Sequence, residues 1–157
     1  MSFEKVKEYF DTFGLGDRCI DLAESSATVE EAAKALGTEE ARIAKTMSFL
    51  TEGPLIVVTA GDQKVDNHKF KETFHKKAKM IPGDLCEAYI GHRPGGVCPF
   101  CLPDGVPVYL DVSLQRFDTV YPAAGTDHSA VRLSVEELEK YAHSLGWVDV
   151  CKSKVTG

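Results

Sequence analysis

The sequence predicts an α/β domain with a mixed, barrel-like β-sheet surrounded by helices, and two observations lead to it. Apolar residues recur at helical spacing in some segments and in short extended runs in others, without the regular strand-then-helix alternation of an all-parallel sheet. One of those runs, PLIVVTAG from Pro54, is apolar almost throughout, the pattern of a strand covered on both faces. A chain of 157 residues with 43% hydrophobic content suits one domain, here 1–157, whose core needs neither disulfide nor metal as a staple.

Taken in order, Phe3, Val6, Phe10 and Phe13 lie three or four residues apart and predict a helix over 3–13, stopped by Gly14 and Gly16. Thr28-Val29-Glu30-Glu31 has the form of a capping box, in which threonine and glutamate each satisfy the other's backbone N–H; it opens a helix that closes at Gly37. A second helix is expected from Thr38, with Glu39 and Glu40 at the positive end of its dipole. The pair has a helix-turn-helix pattern, but two glutamates at the tip of the second helix would repel DNA phosphates, so a DNA reader is set aside. From Ala44, AKTMSFLT alternates as a strand, with Lys45, Met47 and Phe49 on one face and Ala44, Thr46 and Ser48 on the other. After the PLIVVTAG strand, Asp66 caps a basic helix whose inward stripe is Phe70, Phe74 and Ala78. A short helix over 82–90 begins at Pro82. VPVYLDVSL and FDTVYPAAG read as strands, and SAVRLS pairs back onto the second of them across the turn from Gly125 to His128. Ser134-Val135-Glu136-Glu137 is another capping box, for a helix ending near Gly146, and WVDVC is a last strand.

No apolar run reaches the roughly 18 residues of a membrane span, and MSFEKVKEYF has neither the basic nor the apolar part of a signal peptide. A cytoplasmic location and no membrane contact are expected. Five cysteines, an odd number in a chain with an ordinary core, point to reduced thiols. The net charge of −6 argues against general nucleic-acid binding, because an acidic surface repels phosphates. Its distribution argues otherwise. KVDNHKFKETFHKKAK, residues 64–79, holds six lysines against Asp66 and Glu72 and is locally +4, which leaves −10 elsewhere. Such a segment is either the solvated face of an amphipathic helix or a dock for a polyanion.

The stretch RPGGVCPFCLP, 93–103, contains two motifs. Cys98 and Cys101 form a C-x-x-C, which in a redox protein places the first thiol at a helix N-terminus; here Pro103, Gly105 and Pro107 interrupt any such helix. Cys86, His92, Cys98 and Cys101 are ligand types that suit zinc, but only the last two have the close spacing of a chelating pair. Read from the backbone, Gly95-Gly96-Val97-Cys98-Pro99 is a G-x-x-x-P loop that bends freely and can aim N–H groups at a developing oxyanion. A plain turn would have the same letters.

The lysine strand ARIAKTMSFL, the strand LIVVTAG, the basic helix, the loop GGVCPF, YLDVSL and AAGTDHSAVRLSVEEL occur together in this order. In that combination the chain resembles the YbaK/EbsC family from about Cys19 to Val148. That family contains free-standing trans-editing aminoacyl-tRNA deacylases similar to the editing domain inserted in bacterial prolyl-tRNA synthetases. The resemblance implies hydrolysis of the ester that joins a wrong amino acid to a tRNA 3′ end, with tRNA and an aminoacyl-tRNA synthetase as partners and no cofactor or metal. It makes Lys45 the residue that positions the aminoacyl end, and Gly95, Gly96, Val97, Cys98 and Pro99 the loop that holds its carbonyl or terminal adenosine. Lys45 also stands out as the one cation in an otherwise apolar strand. No Ser/His/Asp triad is evident, so the expected nucleophile is water, with His128 as the candidate polar contact or base. Met47 and Phe49, with Cys98, are expected to line a pocket for a small amino acid such as alanine, serine, threonine or cysteine. Lys69, Lys71, Lys76, Lys77 and Lys79 are expected to meet tRNA phosphates. Two alternatives remain open: a non-catalytic tRNA- or nucleotide-binding module, and a zinc or thiol protein using Cys98 and Cys101.

Overall fold

The computed structural model describes residues 3–153. At its centre is a curled, six-stranded mixed sheet. Strands β2 (Ile43–Leu50) and β3 (Pro54–Ala60) form its antiparallel middle, in register from Ala44 opposite Ala60 to Leu50 opposite Pro54. On one side β5 (Val108–Asp111) runs parallel to β3 and β9 (Trp147–Val148) parallel to β5. On the other, β6 (Thr119–Pro122) runs parallel to the start of β2 and takes β8 (Leu133–Ser134) antiparallel at the edge. Two small antiparallel pairs flank the sheet, β1 (Cys19–Asp21) with β7 (Ser129–Val131), and β4 (Gln63–Val65) with β10 (Cys151–Ser153).

The near-continuous apolar run of β3 has the reason expected of it: the strand is covered on both faces. Ile56, Val58 and Ala60 enter the main core with Val6 and Phe10 of α1 (Phe3–Asp11) and with Phe100, Leu110 and Leu138. Leu55 and Val57 point the other way, into a second core with Phe49, Val150 and Phe70 of α3 (Asn67–Phe74). A third cluster joins Ala32 and Ala33 of α2 (Val29–Leu36) to Ile43. The helices α4 (Gly83–Ile90) and α5 (Val135–Tyr141) lie on the main-core side through Cys86, Ile90, Val135 and Leu138.

Local signals produce the caps. Thr28 accepts from the Glu31 N–H at 3.1 Å, and Gly37 closes α2 in the left-handed region at φ 68°. Ser134 and Glu137 form both arms of their capping box, and Glu137 also pairs with Arg18 at 2.9 Å. Burial raises the Glu137 pKa, but the backbone and Arg18 hydrogen bonds outweigh it and leave the carboxyl below its ordinary value.

Four expectations are corrected. The helix from Thr38 is a 3-10 turn over Glu40–Arg42, because residues 38–42 are all that separates Gly37 from β2. The basic helix stops at Phe74, where His75 adopts φ 62°. The chain then pairs with the edge of β2 that β6 leaves open: Leu50 N–H donates to Lys79 O at 2.7 Å and Ile81 N–H to Ser48 O at 3.1 Å. The SAVRLS segment divides, its first half pairing with β1 and only its end with β6. The last helix ends at Tyr141, ahead of Gly146.

Candidate active site

A cavity of about 260 Å³ opens between β2 and the loop that follows α4. That is under the roughly 300–1,000 Å³ of pockets for drug-sized ligands, so it suits a small group. Ala44, Thr46 and Ser48 line it from β2, Val29, Ala32 and Leu36 from α2, and Pro94, Gly95 and Val97 from the loop. Ser26 and Ser129 also contribute to its lining, joined by the bond from Ser129 N–H to Ser26 Oγ at 3.1 Å. Lys45 is the one charged residue in the lining, which includes neither a carboxylate nor a histidine among the described residues. Its ammonium donates to Gln63 O at 2.9 Å, toward the β4 side.

The G-x-x-x-P loop is held by shape and by its own ends. Gly95 has φ +88°, a left-handed conformation that favours glycine. At Gly96 a β-carbon would sit 2.8 Å from Thr126 Cα and 2.9 Å from Thr126 N, so no side chain fits without displacing backbone. His92, fully buried, donates from Nε2 to Phe100 O at 2.7 Å and thereby ties the residues on either side of the loop together. Burial holds this imidazole below the usual histidine pKa, in keeping with a neutral ring. The Cys98 sulfur lies 3.5 Å from the same Nε2, and burial pushes its thiol up to about 12. Gly96 N–H is already donated to Arg93 O at 3.0 Å. The N–H groups of Val97 and Cys98 have no acceptor among the described residues.

Of the residues singled out in the sequence, Lys45, Gly95 and Val97 come together at this cavity. Gly96 instead lines a second cavity, of about 510 Å³, beside Lys5, Arg93, Thr126 and Asp127. Pro99 and Cys98 are buried beneath the loop. Met47 and Phe49 are not pocket walls: strand alternation turns them to the opposite face of β2, where they pack in the second core. Cys98 is not a wall either, since its side chain is taken into the main core. His128 lies outside the lining, exposed, with Nδ1 2.9 Å from Asp127 and Nε2 3.9 Å from Asp21. The Asp127 hydrogen bond raises its pKa above the ordinary value. Sequence reasoning passed over Ser26, Ser129 and α2. Only Thr46 and Ser48 had left a signal, their shared strand face.

The zinc set is not assembled. Among the described residues no group of three or more His, Cys, Asp or Glu is placed to hold a metal. Cys86 is buried in the main core, Cys98 sits by His92, and Cys101 turns to Lys5 O at 3.8 Å. Burial raises all three thiols, the reverse of a reactive dithiol.

The basic segment is split between two places. Helix α3 covers the second core, behind the sheet as seen from the cavity, and Lys69 there is committed to Asp149 at 3.1 Å and Cys151 O at 2.9 Å. Lys76 pairs with Glu52 at 2.9 Å. Lys71, Lys77 and Lys79 are exposed, and no carboxylate lies within 4.0 Å of them among the described residues. Lys77 and Lys79 belong to the strap that leads to Met80, itself part of the cavity lining. No helix among the described residues is long and apolar enough to cross a membrane.

Comparison with known proteins agrees with this architecture. The chain is 45% identical over 155 residues to the uncharacterized protein YwhH of Bacillus subtilis (strain 168), which covers 97% of this chain and 98% of that protein. It is 33% identical over 107 residues to a proline–tRNA ligase of Limosilactobacillus fermentum, a match that spans 64% of this chain and 19% of the ligase. A crystal structure of a candidate trans-editing enzyme for prolyl tRNA synthetase superimposes with a TM-score of 0.86 at 25% identity, covering 98% of this chain and 99% of that one. The family model described as aminoacyl-tRNA editing domain matches residues 23–141. With that match over most of its length, and with the mixed curled sheet of its structural relative, the chain belongs to the aminoacyl-tRNA editing domain family.

Proposed function

We propose that the protein hydrolyses the ester of a mischarged aminoacyl-tRNA that carries a small amino acid. The observation that carries the reading is the cavity: about 260 Å³, mainly aliphatic, bordered by Lys45 on one strand and by the Gly95–Val97 turn opposite. An aminoacyl ester is already activated, so the site needs to position it and stabilise its tetrahedral intermediate more than it needs a nucleophile. The absence of histidine and carboxylate from the described lining fits that division, since no base is placed to activate Ser26, Ser48 or Ser129. Water adds to the carbonyl carbon, the bond to the ribose oxygen breaks, and that oxygen leaves with a proton, giving free amino acid and intact tRNA. The Val97 N–H is the oxyanion donor in this reading, in place of the Gly96 N–H that Arg93 O occupies and of the Cys98 N–H, which is buried with the rest of that residue outside the lining. Lys45 supplies positive charge at the edge of the cavity, and Lys77 and Lys79 meet phosphates of the acceptor end. A synthetase whose errors supply the substrate is the partner the reading implies.

The test is deacylation of a panel of tRNAs charged with alanine, serine, threonine, cysteine and proline. Hydrolysis of one or more small mischarged species well above the spontaneous rate is expected. Rates equal to the spontaneous rate for every member, at enzyme in excess over tRNA, would leave only the binding-module alternative.

A further inference from the structure

Among the described residues, three buried side-chain polar atoms have no hydrogen-bond partner: Thr46 Oγ1, Thr59 Oγ1 and His92 Nδ1. Thr59 and His92 do not line the cavity. Thr59 shares its strand face with Val57 of the second core, and His92 lies under the loop. Thr46 belongs to the cavity, on β2 beside Lys45 and one strand position before Ser48 on the same face. Its residue is half-buried while its hydroxyl oxygen is turned in and unpartnered. An unsatisfied buried hydroxyl is costly, and a well-packed aliphatic wall would hold valine at this position at no such cost. No hydrogen bond among the described residues holds the hydroxyl where it is, so a rotation about Cα–Cβ that exchanges it with the methyl breaks none, and in the proposal below that rotation brings the oxygen to the cavity.

The ligand group that this oxygen meets follows from the charges around it. No carboxylate lines the cavity among the described residues, and Lys45 does, so the substrate's α-ammonium gains nothing by lying deep inside. A neutral donor and acceptor is the matching group. Resting on the deacylase reading above, we propose that Thr46 is a specificity-determining residue that reads a hydroxyl on the substrate's side chain, so that the cavity selects seryl and threonyl esters over alanyl esters. The discrimination has a physical basis: a site that hydrogen-bonds a hydroxyl penalises the analogue lacking it, whereas a purely aliphatic pocket barely separates the two.

Binding of non-hydrolysable 3′-amide analogues tests this without relying on turnover. Seryl- and alanyl-amide derivatives of adenosine would be titrated calorimetrically into the wild type, Thr46→Val and Thr46→Ser. The wild type is expected to favour the seryl analogue by about tenfold, the effect of one neutral hydrogen bond. The ratio should fall to near one in Thr46→Val, which keeps the shape of the side chain, and be retained in Thr46→Ser. A wild-type ratio near one, or an unchanged ratio in Thr46→Val, overturns the role of Thr46. Failure of the deacylation panel is a separate result, because it removes hydrolysis while the binding ratio still reports on the hydroxyl.

Discussion

The two faces of β2 are built from alternate residues of one strand, and they do different work. On the back, Met47 and Phe49 pack against Phe70 and Phe74, with the Phe49 and Phe70 rings 4.7 Å apart and those of Phe70 and Phe74 4.8 Å apart. On the front, Ala44, Thr46 and Ser48 are short, and the space they leave is the cavity. The comparison teaches that the aromatic side of a strand is where a fold is secured, while small and hydroxylated residues on the other side make room for a ligand. Lys45 crosses this division: it has the parity of the back face, yet it borders the cavity and directs its ammonium to Gln63 O.

Because of that exception, Lys45→Ala is the strongest way to break the comparison. Deacylation should drop by about 10²–10³-fold, the scale of losing one electrostatic contact to the reacting centre. Denaturant unfolding should register a small loss, about 1 kcal/mol, the scale of one hydrogen bond. A large loss of stability with normal activity per folded molecule would return Lys45 to the back face as a structural residue. Phe70→Ala sharpens the opposite side: it should cost about 3–5 kcal/mol in urea unfolding while the folded fraction deacylates at the normal rate. Smaller again is the effect of Lys77→Glu with Lys79→Glu, which should weaken tRNA binding and lower the slope of log affinity against log salt by about two. The same reversals at Lys69 and Lys71, on the helix behind the sheet, should change that slope less. Equal effects at the two sites, read by filter binding across a salt series, would place the tRNA over α3.

The smallest effect belongs to His128, whose pKa is raised mainly by its hydrogen bond to Asp127. A raised folded-state value means that the stabilisation is fully present below the unfolded histidine pKa, about 6.5, and is lost as pH rises through the folded value. Wild type and His128→Gln should therefore differ in unfolding midpoint near pH 5.5 and converge at about pH 9. A constant gap across that range would show that the ion pair with Asp127 is not what the substitution removes.

What could be read from the letters alone was local. The capping box at Ser134, the stop at Gly37 and the two faces of β2 depend on residues within a few positions of each other and form as read. At Thr28 only the threonine arm of the box forms, since the Glu31 carboxylate accepts from the Thr28 hydroxyl and not from its N–H. The helix expected from Thr38 failed because the start of β2 leaves it no length, and the basic helix stopped early because the chain after His75 pairs with β2. Both outcomes are decided by strands elsewhere in the chain. The pairing of Ile20 with Ala130 joins segments more than a hundred residues apart, and no local pattern announces it. At the site, alternation separated Thr46 and Ser48 from Met47 and Phe49 but could not say which set faced the cavity. That depends on where α3 and β10 come to rest. Apolar residues read as pocket walls were core residues, and Ser26 and Ser129 had no neighbours in sequence to mark them.

The bond from His92 to Phe100 has one more consequence. It closes the G-x-x-x-P loop across eight residues of sequence, inside a core, with Gly96 pressed against Thr126 at the same time. A loop fixed in this way loses its conformational freedom when the chain folds and has little left to lose when an ester arrives. Under the proposed deacylase function the loop is therefore preorganised, and the energy of binding is available for the transition state instead of for ordering the loop.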